Sequence, residues 1–386
     1  MYTWPEVDMP ALRAWRVSGV CQLMAEQKVD HLLMSGFDNI RYATDYRTQI
    51  IGESFDWFAA VINADGGAEL FVPWVDERQD EPLHDLPNIR AVHPLPSWTP
   101  AVPQAGYWAR TIASRLDGAR RVGYELIYPE VLEALQEQLP DTEFKPLGTA
   151  LFDLRQVKHP IEVELLEAAS LVNASAALAG LTAAQPGMTD FDILAVMMGH
   201  LQRAGVEFLS HSLCNHRRGS GTWFAAGTVL REGDPYFFDI GCYGAGGYAS
   251  DIARTGFVGD PHPALKAAYE VLQEAHLVGQ QAAKPGVRAS TVHDAVNAFL
   301  VGKGYPRTPY AMGHGVGIRA CELPTICRAD RTERDQIIQE GAVIALEPET
   351  GVEIDGEYVL VKIEDNFLVE SDGLRLLSRP SGGALW

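Results

Sequence analysis

The chain has 386 residues, 51 of them acidic and 31 basic, and a formal charge of −20 at pH 7. A surface of that sign repels phosphate backbones and anionic lipid head groups, which argues against nucleic-acid and membrane-surface partners. With 47% hydrophobic and 21% charged residues the composition is that of a soluble globular protein, and the length allows two domains with a large core. Five cysteines (Cys21, Cys214, Cys242, Cys321 and Cys327) are scattered and odd in number, which reads as reduced thiols in a cytoplasmic protein. The opening MYTWPEVDMP has neither the basic nor the apolar region of a secretory signal. No uninterrupted apolar run approaches about 18 residues, so no membrane-spanning helix is expected.

Residues 10–28 carry apolar positions at helical spacing, with Pro10 near the start. A short buried strand, 31–35, follows, and then NIRYATD at 39–45. Residues 57–63 and 68–72 flank a Gly-containing turn and predict a hairpin. A strand at 121–126, a helix at 128–139 and a strand at 144–146 complete an α/β domain over residues 1–154. The character changes at DLRQVKHP, and residues 155–386 form a second domain that begins with a long helix from about Pro160 to Ala184.

That second domain contains an internal repeat. AAQPGMT at 183–189 leads into a helix at 190–202, and AAKPGVR at 282–288 leads into a helix at 290–301. Each helix pair precedes a β segment with two acids, Asp239 and Asp251 in the first copy and Glu347 and Glu364 in the second. A duplicated unit related by a pseudo-two-fold brings the two acid pairs together at the axis.

Asp239 ends an apolar run, a Gly-rich turn follows, and Asp251 lies twelve residues on. In a hairpin this even offset returns both carboxylates to one face, where they repel unless a cation lies between them. His314 in MGHGVG, Glu347 in IALEPE and Glu364 in VKIED stand in similarly apolar surroundings. Four carboxylates and an imidazole suit Mn, Fe(II), Co or Zn, and are enough for two ions bridged by carboxylates.

The motifs FFDIG…YASDIART, GHGVG, ALEPE and VKIEDNFLV resemble the pita-bread superfamily of methionine aminopeptidases, prolidases, aminopeptidase P and creatinase. NIRYATD resembles the N-terminal domain of its prolidase and creatinase members. The resemblance implies an α+β pita-bread C-terminal domain and a dinuclear centre on Asp239, Asp251, His314, Glu347 and Glu364. It also implies a homodimer whose N-terminal domains help close the partner's site. The peptidases of this group carry two further histidines that touch substrate. Their positions here hold Thr222 or Trp223, and Cys321, with His211 and His216 nearby but several residues early.

NIRYATDYR, the Trp223-Phe224 pair and an aspartate spacing one longer than the peptidases commonly have are similar to the dimethylsulfoniopropionate lyases of the same fold. Trp223, Phe224 and Trp57 are then candidates for an aromatic face against a sulfonium or quaternary ammonium group. Glu322 and Cys321 are candidates for the base, and Tyr310 for a proton donor. The expectation is a dinuclear-metal lyase or creatinase-like hydrolase acting on a small amino-acid-like or zwitterionic substrate. An Xaa-Pro dipeptidase or aminopeptidase that draws its histidine from elsewhere, with His211 the best placed, is the alternative. A binding module without catalysis is the third.

Overall fold

The computed structural model describes residues 2–47, 57–73, 86–95, 104–215 and 223–379. The chain folds as two compact units, one formed by Asp8–Leu154 and the other by the chain from Arg155 onward together with the segment through Val7.

The N-terminal unit runs α1 (Met9–Gln27), β1 (His31–Met34), α2 (Phe37–Thr44), β2 (Ala59–Asn63), β3 (Ala68–Pro73), β4 (Ile89–Leu95), α3 (Ala105–Ala113), β5 (Arg121–Glu125), α4 (Pro129–Gln138), β6 (Glu143–Pro146) and α5 (Gly148–Leu154). α1 starts where the Asp8 side chain accepts from the Ala11 amide, and it stops at Lys28 in the left-handed region, φ 57°. The six strands form one mixed sheet in the order β4-β3-β2-β1-β5-β6. β2 and β3 are the expected hairpin, turned through Gly66 at φ 84°. Leu33, Val61, Phe71, Trp108 and Ile112 fill its core.

The C-terminal unit runs α6 (Pro160–Ala183), α7 (Asp190–Ala204), β7 (Phe208–Asn215), β8 (Pro235–Tyr243), β9 (Ala249–Phe257), α8 (Pro263–Ala282), α9 (Ala289–Gly302), β10 (Gly313–Gly315), β11 (Glu322–Thr325), β12 (Val343–Leu346), β13 (Glu349–Ile354), β14 (Glu357–Lys362), β15 (Asp365–Glu370) and β16 (Gly373–Leu376). Its strands form a three-stranded sheet β7-β8-β9, a five-stranded sheet β11-β10-β12-β15-β16 and the hairpin β13-β14. α6 and α7 pack on the first sheet, and α8 and α9 on the second sheet and the hairpin. This is the pita-bread arrangement, with helices outside and strands inside.

The repeat is visible in the backbone. Gly187 and Gly286, at φ 93° and 85°, turn each helix pair. Their amides donate to Leu230 and Ile338 carbonyls, each at 2.9 Å, so the two copies anchor their turns in the same way. By length and composition alone α6 passes as long and apolar enough to cross a membrane. Glu162, Glu164, Glu167, Ser170, Asn173 and Ser175 nevertheless interrupt its apolar run. In this fold 61% of that stretch is buried, against α7, β8 and β9, as befits a core helix.

Candidate metal centre

The β8–β9 hairpin places the first two carboxylates. Asp239 pairs with Ala253 and Asp251 with Gly241, so the two acids are diagonal neighbours on one face. Both strands are covered on both sides, and Asp239 and Asp251 are 6% and 4% exposed. The second copy supplies the rest. His314 lies on β10, Glu347 directly follows β12, and Glu364 joins β14 to β15. The glycines around His314 have a steric cause. A Cβ at Gly313 would stand 2.2 Å from the Ala345 carbonyl oxygen, and one at Gly315 2.0 Å from that of Leu323. His314 Nδ1 lies 3.0 Å from its neighbour's carbonyl, Gly315 O. That leaves Nε2 facing the acids, 3.8 Å from Asp251 Oδ2, 3.6 Å from Glu347 Oε1 and 3.9 Å from Glu364 Oε1.

Two further basic side chains enter this cluster. His211, on β7, puts Nε2 2.8 Å from Asp239 Oδ1 and 3.0 Å from Asp251 Oδ1. Gly241 makes room for it, since a Cβ there would lie 2.0 Å from Ser210 Oγ and 2.5 Å from His211 Cε1. Lys362, the last residue of β14, donates Nζ to Asp239 Oδ2 at 2.9 Å and to Glu347 Oε2 at 2.8 Å. Lys362 stands inside the VKIED motif, but its role is hidden in the sequence, because only the fold shows that its chain turns toward the acids.

The residues fit a divalent ion. Among the described residues, no donor makes a hydrogen bond to either carboxylate oxygen of Glu364, both of them buried. Buried anionic oxygens left in that state are what a cation would satisfy. His314, Glu347 and Glu364 offer atoms close enough to share an ion, as do His211, Asp239 and Asp251. The electrostatics agree. Burial, with Asp251 and Glu347 close by, holds the Glu364 carboxyl well above the usual range, and burial raises Asp251 as well. Burial acts against the charged forms of His211 and His314. Asp251 and Asp239 nevertheless raise His211 to about 11, and Cys321 and Glu347 raise His314 to about 10.

The remaining candidates divide. Cys321 Sγ lies 3.7 Å from His314 Nε2, at the mouth of the cluster and exposed. Glu322 is placed elsewhere. Its side chain is fully buried between Arg155 Nη2 at 2.9 Å and Lys158 Nζ at 3.0 Å. Burial opposes ionisation there, but the two cations outweigh it and hold the carboxyl below its ordinary value. A carboxylate locked in that way is a structural ion pair, not a base facing substrate.

Trp223 sits beside the cluster, its ring edge-on to Phe237 at 5.4 Å and 4.8 Å from Lys362 Nζ. Tyr310 is 56% exposed, its ring 6.2 Å from that of Trp223. Phe224 is 69% exposed, and its carbonyl accepts from Asn215 Nδ2 at 3.0 Å. Trp57 stacks on Trp108 at 5.2 Å in the core of the N-terminal unit, which is the place of a packing aromatic. Asp365 points away from the cluster, as strand alternation requires, and binds Arg254 Nη2 at 2.7 Å and Ser378 Oγ at 2.6 Å. Thr222 and His216 lie outside the described residues.

Comparisons with known proteins place this geometry. Residues 164–371 match Metallopeptidase family M24, and residues 16–157 match the Creatinase/Prolidase N-terminal domain. The protein YkvY of Bacillus subtilis is 30% identical over 252 residues, covering 64% of this chain and 67% of that protein. An Xaa-Pro dipeptidase of Pyrococcus horikoshii is 27% identical over 269 residues, covering 68% and 74%. Among solved structures, the prolidase from Pyrococcus horikoshii OT3 superimposes with a TM-score of 0.79 at 22% identity, covering 95% of this chain and 99% of that one. The Xaa-Pro dipeptidase from Bacillus anthracis gives 0.79 at 22%, covering 95% and 98%.

Proposed function

The chain belongs to metallopeptidase family M24, and on that premise we propose that it is a metal-dependent dipeptidase of the Xaa-Pro type. The observation that carries the reading is His211. The sequence lacks a histidine at either position where the peptidases keep one, which favoured a lyase or creatinase-like enzyme. His211 supplies an imidazole 2.8 Å from Asp239 by another route, from β7. The Xaa-Pro dipeptidases among the relatives support the same choice.

The cluster of Asp239, Asp251, His314, Glu347 and Glu364 would hold the metal, and a Mn, Fe(II), Co or Zn ion suits its oxygen and imidazole donors. When bound, the metal supplies Lewis acidity toward the scissile carbonyl. Hydrolysis adds the oxygen of water to that carbonyl carbon and delivers a proton to the departing prolyl nitrogen. Glu347 has the most open side chain of the four carboxylates, 16% exposed against 9%, 6% and 1%, and accepts the proton from water. The His211 side chain, 25% exposed, positions Asp239 and Asp251 through Nε2, while its Nδ1 lies 3.0 Å from Ser210 Oγ. Trp223 and Tyr310 line the approach. The reading carries with it a small dipeptide substrate, a cytoplasmic setting for the five free thiols and association as a homodimer.

The test is a side-by-side assay of the manganese- or cobalt-loaded protein on an Xaa-Pro dipeptide and on dimethylsulfoniopropionate. Proline release that is lost in His211→Ala is the expected result. Dimethyl sulfide release without proline release would return the lyase reading.

A further inference from the structure

We propose that this centre holds one divalent ion per chain, with the Lys362 ammonium standing where a second would bind. The inference rests on the metal-centre reading above and deepens it. It departs from the two ions that the count of carboxylates suggests.

The four carboxylates are not in equal need of a cation. Asp239 has both oxygens occupied, Oδ1 by His211 Nε2 at 2.8 Å and Oδ2 by Lys362 Nζ at 2.9 Å. Glu347 gives Oε2 to the same ammonium at 2.8 Å. Among the described residues both oxygens of Glu364 lack a hydrogen-bond donor, and Asp251 Oδ2 faces His314 Nε2 at 3.8 Å. These, with His314 and the free side of Glu347, outline a single ion position. An ion at the Asp239 side would have to compete with the Lys362 ammonium and the His211 imidazole already in contact with that carboxylate.

Lys362 is built into this place. Its side chain is 4% exposed. Its backbone is clamped by one hydroxyl, since Thr255 Oγ1 accepts from the Lys362 amide at 2.8 Å and donates to its carbonyl at 3.2 Å. The Trp223 ring covers the ammonium at 4.8 Å. Expelling Nζ would break two charge-assisted hydrogen bonds and strip the ring of its cation. An ammonium left in place beside an incoming dication would repel it across a buried site.

The experiment is cobalt(II) titration of the metal-stripped full-length chain. Bound metal is counted by elemental analysis, and the spin state is read by electron paramagnetic resonance. Wild-type protein is expected to bind about one ion and to give the signal of an isolated cobalt. Lys362→Met is expected to bind about two and to give the coupled signal of ions about 3.5–4 Å apart. Two tightly bound ions in wild type would overturn the proposal, and that measurement stands whether or not the variant folds. One ion in a folded Lys362→Met would overturn the role given to Lys362. No bound ion in wild type would overturn the metal centre itself, a failure distinct from the other two.

Discussion

His211 Nε2 lies between Asp239 Oδ1 and Asp251 Oδ1, 2.8 Å from one and 3.0 Å from the other, so an imidazole from β7 ties together the two acids of the adjoining hairpin. Replacing it with alanine frees the two acids that the imidazole positions. The expected loss in kcat/KM on an Xaa-Pro dipeptide is about 10- to 100-fold. Glu364, Glu347 and His314 remain, so the cobalt content should stay near the wild-type value. Steady-state kinetics and elemental analysis on the same preparation check both halves.

Gly241 faces Asp251 across the hairpin, in the space His211 needs. In Gly241→Ala the new methyl group meets Ser210 Oγ and the His211 ring, and the ring must give way. The variant should therefore reproduce the activity loss of His211→Ala while keeping His211. Combining the two changes should cost little more than either alone, because both act through one imidazole. A double-mutant cycle on kcat/KM reads this directly.

Glu322 is a structural anion between Arg155 and Lys158. Arg155→Met leaves a buried carboxylate with half its compensation and should destabilise the fold by about 3–5 kcal/mol. Glu322→Gln should lower Tm as well, yet leave the pH profile of kcat unmoved in the protein that remains folded. A displaced alkaline or acidic limb in that profile would restore Glu322 as a base.

His276, on the buried face of α8, lies 3.2 Å from the Leu346 carbonyl through Nε2. Burial drives its pKa from 6.5 down to about 4, so the fold accepts the neutral ring. Between those values the unfolded chain binds a proton that the folded chain refuses. The stability conferred by the neutral ring is complete above pH 6.5 and is lost as the pH falls toward 4. From pH 6.5 to 5 this residue should account for roughly 2 kcal/mol. Urea midpoints at the two pH values should fall further for wild type than for His276→Gln.

Chelation should lower Tm, since it returns the Glu364 oxygens to burial without a hydrogen-bond donor. An ion present at about 100 times its Kd would stabilise the native chain by about 2.7 kcal/mol. Readdition of cobalt or manganese should restore the midpoint in a concentration-dependent way, and calcium should restore less, given the imidazole in the set.

The cluster of four acids and His314 was legible in the sequence because each member sits in an apolar run or between glycines, where a charged side chain needs a reason. The repeat was legible for a related cause. Gly187 and Gly286 both require positive φ, and the turn around each keeps its Pro-Gly pair. Glu322 misled because adjacency to Cys321 says nothing of direction, and its partners Arg155 and Lys158 are more than 160 residues away. Trp57 misled because an aromatic that packs and one that binds look alike until a neighbour such as Trp108 appears. Lys362 was invisible as a cation of the centre for the opposite reason. A lysine on a strand reads as a solvent-facing residue, and only four carboxylates with an open side can draw it inward.

Asn366, on β15, is fully buried, and its side-chain amide is shared by elements far apart in the chain. Its Oδ1 accepts from Ser170 Oγ at 3.1 Å, Ser250 Oγ at 2.9 Å and the Asp251 amide at 3.1 Å, while Nδ2 donates to the Asp251 carbonyl at 2.9 Å. One neutral group thus rivets β9 of the first repeat to β15 of the second, two residues from Glu364. Aspartate would match its shape but could not donate, and would add a charge beside Asp251. Because the rivet carries no charge and titrates with nothing, the spacing between the halves does not depend on what occupies the centre. An ion can depart and another take its place in a frame already set to receive it.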